Sequence, residues 1–209
     1  AFTEGNQEKA EMLTRQNFNS EVSYDADGEN PFRFGSFTTM GEFYVETGLN
    51  IIGMSDYKRI LSLDSAMAVV QFKKDHVAYQ RNYFISYPAN VMVMRFSADQ
   101  PGKQNLVFSY APNPVSTGNM ASDGNKGLVY SASLDNNGMK YVVRIQAETK
   151  GGTLSNADGK LAVKGADEVV FYITADTDYK PNFDPDFKDP KTYVGVNPEK
   201  TTRQWMNNA

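Results

Sequence analysis

The stretch "AMAVVQFKKDHVAYQRNYFISY", residues 66–87, decides the fold. Two runs rich in Val, Phe and Tyr flank the charged break "KKDH". In the second run Tyr79, Arg81, Tyr83 and Ile85 alternate with Gln80, Asn82 and Phe84. Successive side chains of a strand point to opposite faces, so this spacing predicts an antiparallel hairpin. The same pattern continues outward. Upstream, residues 57–63 place Tyr57, Arg59, Leu61 and Leu63 on one side, and "FGSFTTMGEFYVET" (34–47) carries a strand over 37–46. Downstream, residues 91–98 and 105–111 are joined by "DQPGK". Residues 128–134 and 139–147 flank "DNNG", where Asn137-Gly138 tolerates the positive φ of a tight turn. Residues 152–155 and 160–163 flank "NADG", and 169–175 closes the series. Short strands at regular spacing with Gly, Asn and Asp at the joints predict an all-β fold, a large antiparallel β-sandwich.

Short helices are expected at the two ends. Asn6 is a candidate cap, with Glu8 in the first turn and Ala10, Leu13 and Asn17 on one face. In "NPEKTTRQWMNNA", Asn197 caps, Pro198 suits the first helical position and Glu199 suits the helix dipole. Residues 176–193 contain Pro181, Pro185 and Pro190 and read as an extended loop. The organisation is therefore a helical lead-in and connection over 1–30, the sandwich over 31–176, and a loop with a helix start over 177–209.

Composition narrows the function classes. Net charge is -4, so the basic face needed for a grip on nucleic acid is not expected. No apolar run is long enough to form a membrane-spanning helix. With no cysteine, disulfides and thiolate metal sites are excluded. A Ser-His-Asp triad or a multi-histidine metal site has only His76 to draw on, and His76 sits at the predicted hairpin tip.

Carboxylates offer the other chemistry. Glycoside hydrolysis commonly uses two carboxyl groups flanking one bond, and Glu42 and Asp56 are close enough in sequence to stand on neighbouring strands. The simpler reading of Glu42 is structural, a carboxylate held by Arg59 or Arg81 across the sheet. "DPDFKDP" gathers Asp184, Asp186 and Asp189, but Asp189 and Gly195 stand where a helix-loop-helix calcium site needs glycine and glutamate. "GGTLSNADGK" lacks the lysine ending of a phosphate loop and reads as a hairpin. Phe32 and Phe34, in the turn-bounded "NPFRF", are the rings best placed to stack on a sugar.

Four blocks of the sequence resemble glycoside hydrolase family 95, the α-L-fucosidases. "GNQEKAEML" is similar to that family's Gly-Asn/Asp-x-x-x-Ala-x-x-Leu helix, and "FGSFTTMGEFYVET" to its Gly-acid-Leu/Phe-Tyr strand, with Glu42 in the acidic place. "YKRILSLDSAMAVVQF" is similar to its Tyr-x-Arg-x-Leu-x-Leu-x-x-Ala pair, through Tyr57, Arg59, Leu61, Leu63 and Ala66. "YQRNYFISYPANVMVMRF" is similar to its Tyr-x-Arg-x-x-Phe-x-Ser-x-Pro block, through Tyr79, Arg81, Phe84, Ser86 and Pro88. The resemblance implies an N-terminal sandwich, a linker helix and then an (α/α)6 barrel that carries the groups of an inverting hydrolysis. No residue here matches that catalytic motif, and the family's opening Pro-x-Gly-Asn-Gly-Arg-x-Gly segment has no counterpart. The implied role is a non-catalytic domain of an exported bacterial enzyme, periplasmic or at the cell surface. It would pack against the barrel of the same parent chain and meet glycans through it, with no cofactor, metal or membrane insertion. Trp205 and Met206 are the expected interdomain contacts. The alternative is a stand-alone carbohydrate-binding or surface-adhesion sandwich.

Overall fold

The computed structural model describes residues 5–18, 38–135, 137–183 and 189–209. The chain divides into two compact units, residues 1–39 with 186–190, and residues 40–185 with 191–209. The first contains helix α1 (Gln7–Phe18). Asn6 caps it as expected, its side-chain oxygen accepting from the Lys9 amide at 2.9 Å.

The second unit is built from strands β1 (Gly41–Glu46), β2 (Ser55–Ser62), β3 (Met67–Lys74), β4 (Val77–Ser86), β5 (Val91–Ala98), β6 (Gln104–Pro112), β7 (Ser116–Ser122), β8 (Gly127–Leu134), β9 (Lys140–Lys150), β10 (Thr153–Ala157), β11 (Lys160–Ala166) and β12 (Glu168–Thr177), followed by helix α2 (Pro198–Asn207). A four-stranded sheet has the order β1-β6-β11-β10 and an eight-stranded sheet the order β2-β3-β4-β5-β12-β9-β8-β7. Every pairing is antiparallel. This is the predicted all-β sandwich with short terminal helices.

The core lies between the two sheets. Phe108 of β6 and Phe171 of β12 are both fully buried, with ring centroids 4.7 Å apart. Around them pack Phe96, Leu128, Ile145, Leu161 and Val169. A buried phenylalanine of this kind is worth roughly 3–5 kcal/mol against alanine. β9 departs from simple alternation: Tyr141, Val142, Val143, Arg144 and Ile145 are all buried. A strand buried on both faces requires a second layer, and α2 supplies it by packing on the outer face of β9 and β12.

The β3–β4 hairpin closes with Asp75 at φ 50° and His76 at φ 63°. Positive φ at both central residues matches the twist of the flanking strands. His76 sits exposed at this tip. Gly41 is required for a different reason: a Cβ there would stand 2.4 Å from the Ala111 carbonyl oxygen and 2.6 Å from the Tyr110 ring.

Several boundaries differ from the sequence reading. The strand expected over 37–46 begins at Gly41. β2 ends at Ser62, leaving Leu63 in the turn, and its register shifts between Ser55 and Lys58, where Asp56 takes φ 53°. β7 was not expected: "STGNMAS" has no apolar alternation, and it is held as an edge strand by its ladder to β8. The extended tail returns on itself, with the Lys180 amide donating to the Tyr193 carbonyl at 2.7 Å.

Candidate interdomain interface

Two surfaces of the eight-stranded sheet carry the residues of functional interest. The first lies under α2. Asn197 caps the helix, accepting from the Glu199 amide at 3.0 Å, and Pro198 opens it. Pro198, Thr202 and Met206 recur every fourth residue and form the buried face. Glu199 turns back to the sheet, where Arg144 of β9 donates to it at 2.5 Å and to Asp123. Arg144 is 1% exposed, so its charge is stabilised by these two acids and not by water. Ser131 adds a hydrogen bond to Glu199 at 3.1 Å and Arg203 an ion pair at 3.2 Å. Burial pushes the Glu199 carboxyl up, but the Arg144 charge and the hydrogen bonds from Arg144, Ser131 and Arg203 outweigh it and hold the group below its usual range. The Thr174 hydroxyl donates to the Thr202 carbonyl at 3.3 Å, and Thr201 bonds Asp176.

This arrangement corrects the expectation for the helix. Met206, expected as an interdomain contact, is 5% exposed and packed within this unit, while Trp205 is half-buried. The Arg144–Asp123–Glu199 group was missed in the sequence. Its signal was a lone arginine inside the apolar run "YVVRI".

The second surface is the β2–β4 wing. Residues directly opposite each other in antiparallel strands share a face, so rows can be followed across the sheet. One row runs Phe171, Met94, Tyr83, Ala68, Leu61, and the next runs Val169, Phe96, Arg81, Val70, Arg59. Both begin in the core, so Leu61, Arg59 and Arg81 lie on the inner face. Cover is lost along the way: Phe171 is fully buried, Tyr83 half-buried and Leu61 69% exposed. Ile85 on the same face is 70% exposed and Tyr57 59%. The Arg81 guanidinium stands 5.1 Å from the Phe72 ring centroid and 5.7 Å from that of Phe96, a cation–π arrangement that favours the charge.

The other expected site residues fall apart in space. Glu42 points outward from β1 in the four-stranded sheet and accepts from the Tyr44 hydroxyl. Arg59 and Arg81 belong to the opposite sheet, so the expected Glu42–arginine pair does not form. The alternation of β1 explains why: Phe43 and Val45 take the inner face and leave Glu42 to solvent. Asp56 is exposed in β2, pairs with Lys73 at 2.8 Å and stands in the other sheet from Glu42. Phe32 and Phe34, with Asp184 and Asp186, lie outside the described residues. Among the described residues no cluster of His, Cys, Asp and Glu could hold a metal ion.

Comparison with known proteins adds identity. The family model described as "Glycosyl hydrolase family 65, N-terminal domain" matches residues 1–182. The chain is 28% identical over 192 residues to "Probable alpha-fucosidase A" of Aspergillus niger, covering 87% of this chain and 23% of that protein. It is 26% identical over 168 residues to "Alpha-L-fucosidase 2" of Arabidopsis thaliana, covering 65% of this chain and 18% of that protein. Among solved structures, "Putative kojibiose phosphorylase from human microbiome" aligns with 78% of this chain and 25% of that one, at 9% identity and a TM-score of 0.47. The chain thus spans about a quarter or less of the length of these relatives. The expected likeness to fucosidases is found, while the matching family carries the number 65 and not 95. With 182 residues matched, the chain belongs to the family of glycosyl hydrolase family 65 N-terminal domains.

Proposed function

We propose that this chain is the non-catalytic N-terminal domain of an α-L-fucosidase-type glycoside hydrolase. Its role is to support a catalytic barrel contributed by the rest of the parent polypeptide. The observation that carries the reading is one of scale: this chain matches only 23% and 18% of the relatives named as fucosidases. The disposition of acids supports it. Glu42 and Asp56, the pair the sequence offers for glycoside hydrolysis, are both exposed and stand in different sheets. Hydrolysis of a glycosidic bond commonly needs two carboxyl groups within about 10 Å across one substrate. Export to the periplasm or cell surface belongs to the same reading and rests on the family resemblance.

The test is turnover of a chromogenic α-L-fucoside by the full parent protein and by the 209-residue chain in parallel. Release by the parent and none by the chain is expected. Release by the chain alone, or none by the parent, contradicts the reading.

A further inference from the structure

We propose that the β2–β4 wing is a docking face for a strand pair from the parent polypeptide outside these 209 residues. The pair adds to the open edge of β1 and brings a carboxylate to Arg81. The inference rests on the reading above, that this chain is one domain of a longer hydrolase.

The two sheets are mismatched in width, and the mismatch falls at one end. β11 lies over β8 and β9, and β6 approaches β5. A narrow cleft lined by Thr47 and Leu49, just past β1, and by Tyr79, Arg81 and Phe96 puts the end of β1 over β4 and β5. Among the described strands, the four-stranded sheet therefore stops at β1, with its open edge directed toward β3 and β2. An open edge presents unpaired amides and carbonyls, and natural sheets usually cover or blunt such edges. Among the described residues, nothing blunts the inner face beyond it. It offers Leu61, Ile85 and Tyr57 to solvent where polar residues are expected on a finished surface.

Charge narrows the occupant. Arg95, Arg144 and Arg203 each have a carboxylate partner. Among the described residues, no carboxylate lies within ion-pair distance of Arg81 or Arg59, although Arg81 is half-buried. Gln104, 4% exposed in the same cleft, has a side-chain nitrogen with no hydrogen-bond partner. A strand pair beside β1 covers the apolar row with one set of its alternating side chains. An acid on that set satisfies the arginine, since covering Arg81 further without one is costly. The length of the relatives outside the matched part supplies ample chain for such a segment.

Hydrogen–deuterium exchange of the full parent protein and of the 209-residue chain tests this. The β1 amides that face away from β6 and the amides of edge strand β2 are expected to exchange at least about tenfold more slowly in the parent. Arg81→Gln is expected to lower the parent's melting temperature by about 4 °C more than that of the chain. Equal exchange of β1 in the two proteins overturns the inference, as does a parent that dimerises through the wing and becomes monomeric on Ile85→Asp. Protection of β1 in a parent that releases no fucose leaves the inference standing and removes the fucosidase reading. Fucose release without protection does the reverse.

Discussion

The centre and the wing of the eight-stranded sheet share one architecture and differ in cover. At the centre, β9 and β12 are buried on one face by the smaller sheet and on the other by α2. Even a charged side chain survives there, because Arg144 finds two acids. In the wing, the inner row continues with apolar residues past the point where the described residues cover them, ending at Leu61. Alternation in sequence therefore tells which side of a strand is meant to be covered. It does not tell whether the cover comes from the same stretch of chain.

The largest contrast is between aromatic and aliphatic truncations in the two regions. Phe171→Ala is expected to destabilise the isolated chain by about 3–5 kcal/mol, while Leu61→Ala stays within about 0.5 kcal/mol. Urea unfolding of both variants checks this, and a comparable loss at Leu61 would break the distinction. Arg144→Met comes next. It leaves Asp123 and Glu199 under α2 with only the exposed Arg203 as a cation, at a cost of about 3 kcal/mol in the same assay.

Glu199→Gln is milder, at about 1–2 kcal/mol, because Asp123 still meets Arg144. The same group gives the centre a pH dependence. The folded-state pKa of Glu199 lies below its ordinary value of 4.5. The stability it contributes is therefore present above that value and is lost as pH falls through the depressed one. Wild-type melting measured from pH 6 downward is expected to converge on that of Glu199→Gln, and parallel curves would contradict the role of Arg144. The smallest effect belongs to the wing's turn. His76→Gly relieves a positive φ of 63° and is expected to stabilise by about 0.5 kcal/mol, after the entropy of glycine is subtracted.

Much of the fold was legible because strand alternation and turn chemistry are local signals. The β3–β4 hairpin and β5 stand where residues 66–87 and 91–98 predicted them. β7 was not legible, since "STGNMAS" owes its extended form to β8 and not to its own side chains. The candidate site was less legible still. Pairing Glu42 with Arg59 or Arg81 needed to know which sheet each strand joins, and sheet membership is decided by long-range contacts. Local spacing placed Pro198 and Asn197 correctly at the start of α2. It missed Glu199 reaching Arg144, an ion pair between residues 55 positions apart.

The account depends on the wing being a face that the rest of the parent polypeptide covers. Leu61→Asp, melted in both the 209-residue chain and the full parent, tests this most directly. In the chain the charge sits at a position already 69% exposed, and the melting temperature is expected to move by no more than about 2 °C. In the parent the same charge is forced into an apolar contact, and a fall of about 8 °C or more is expected. Equal, small shifts in the two proteins would show that the wing faces solvent in the parent as well, and would contradict the account.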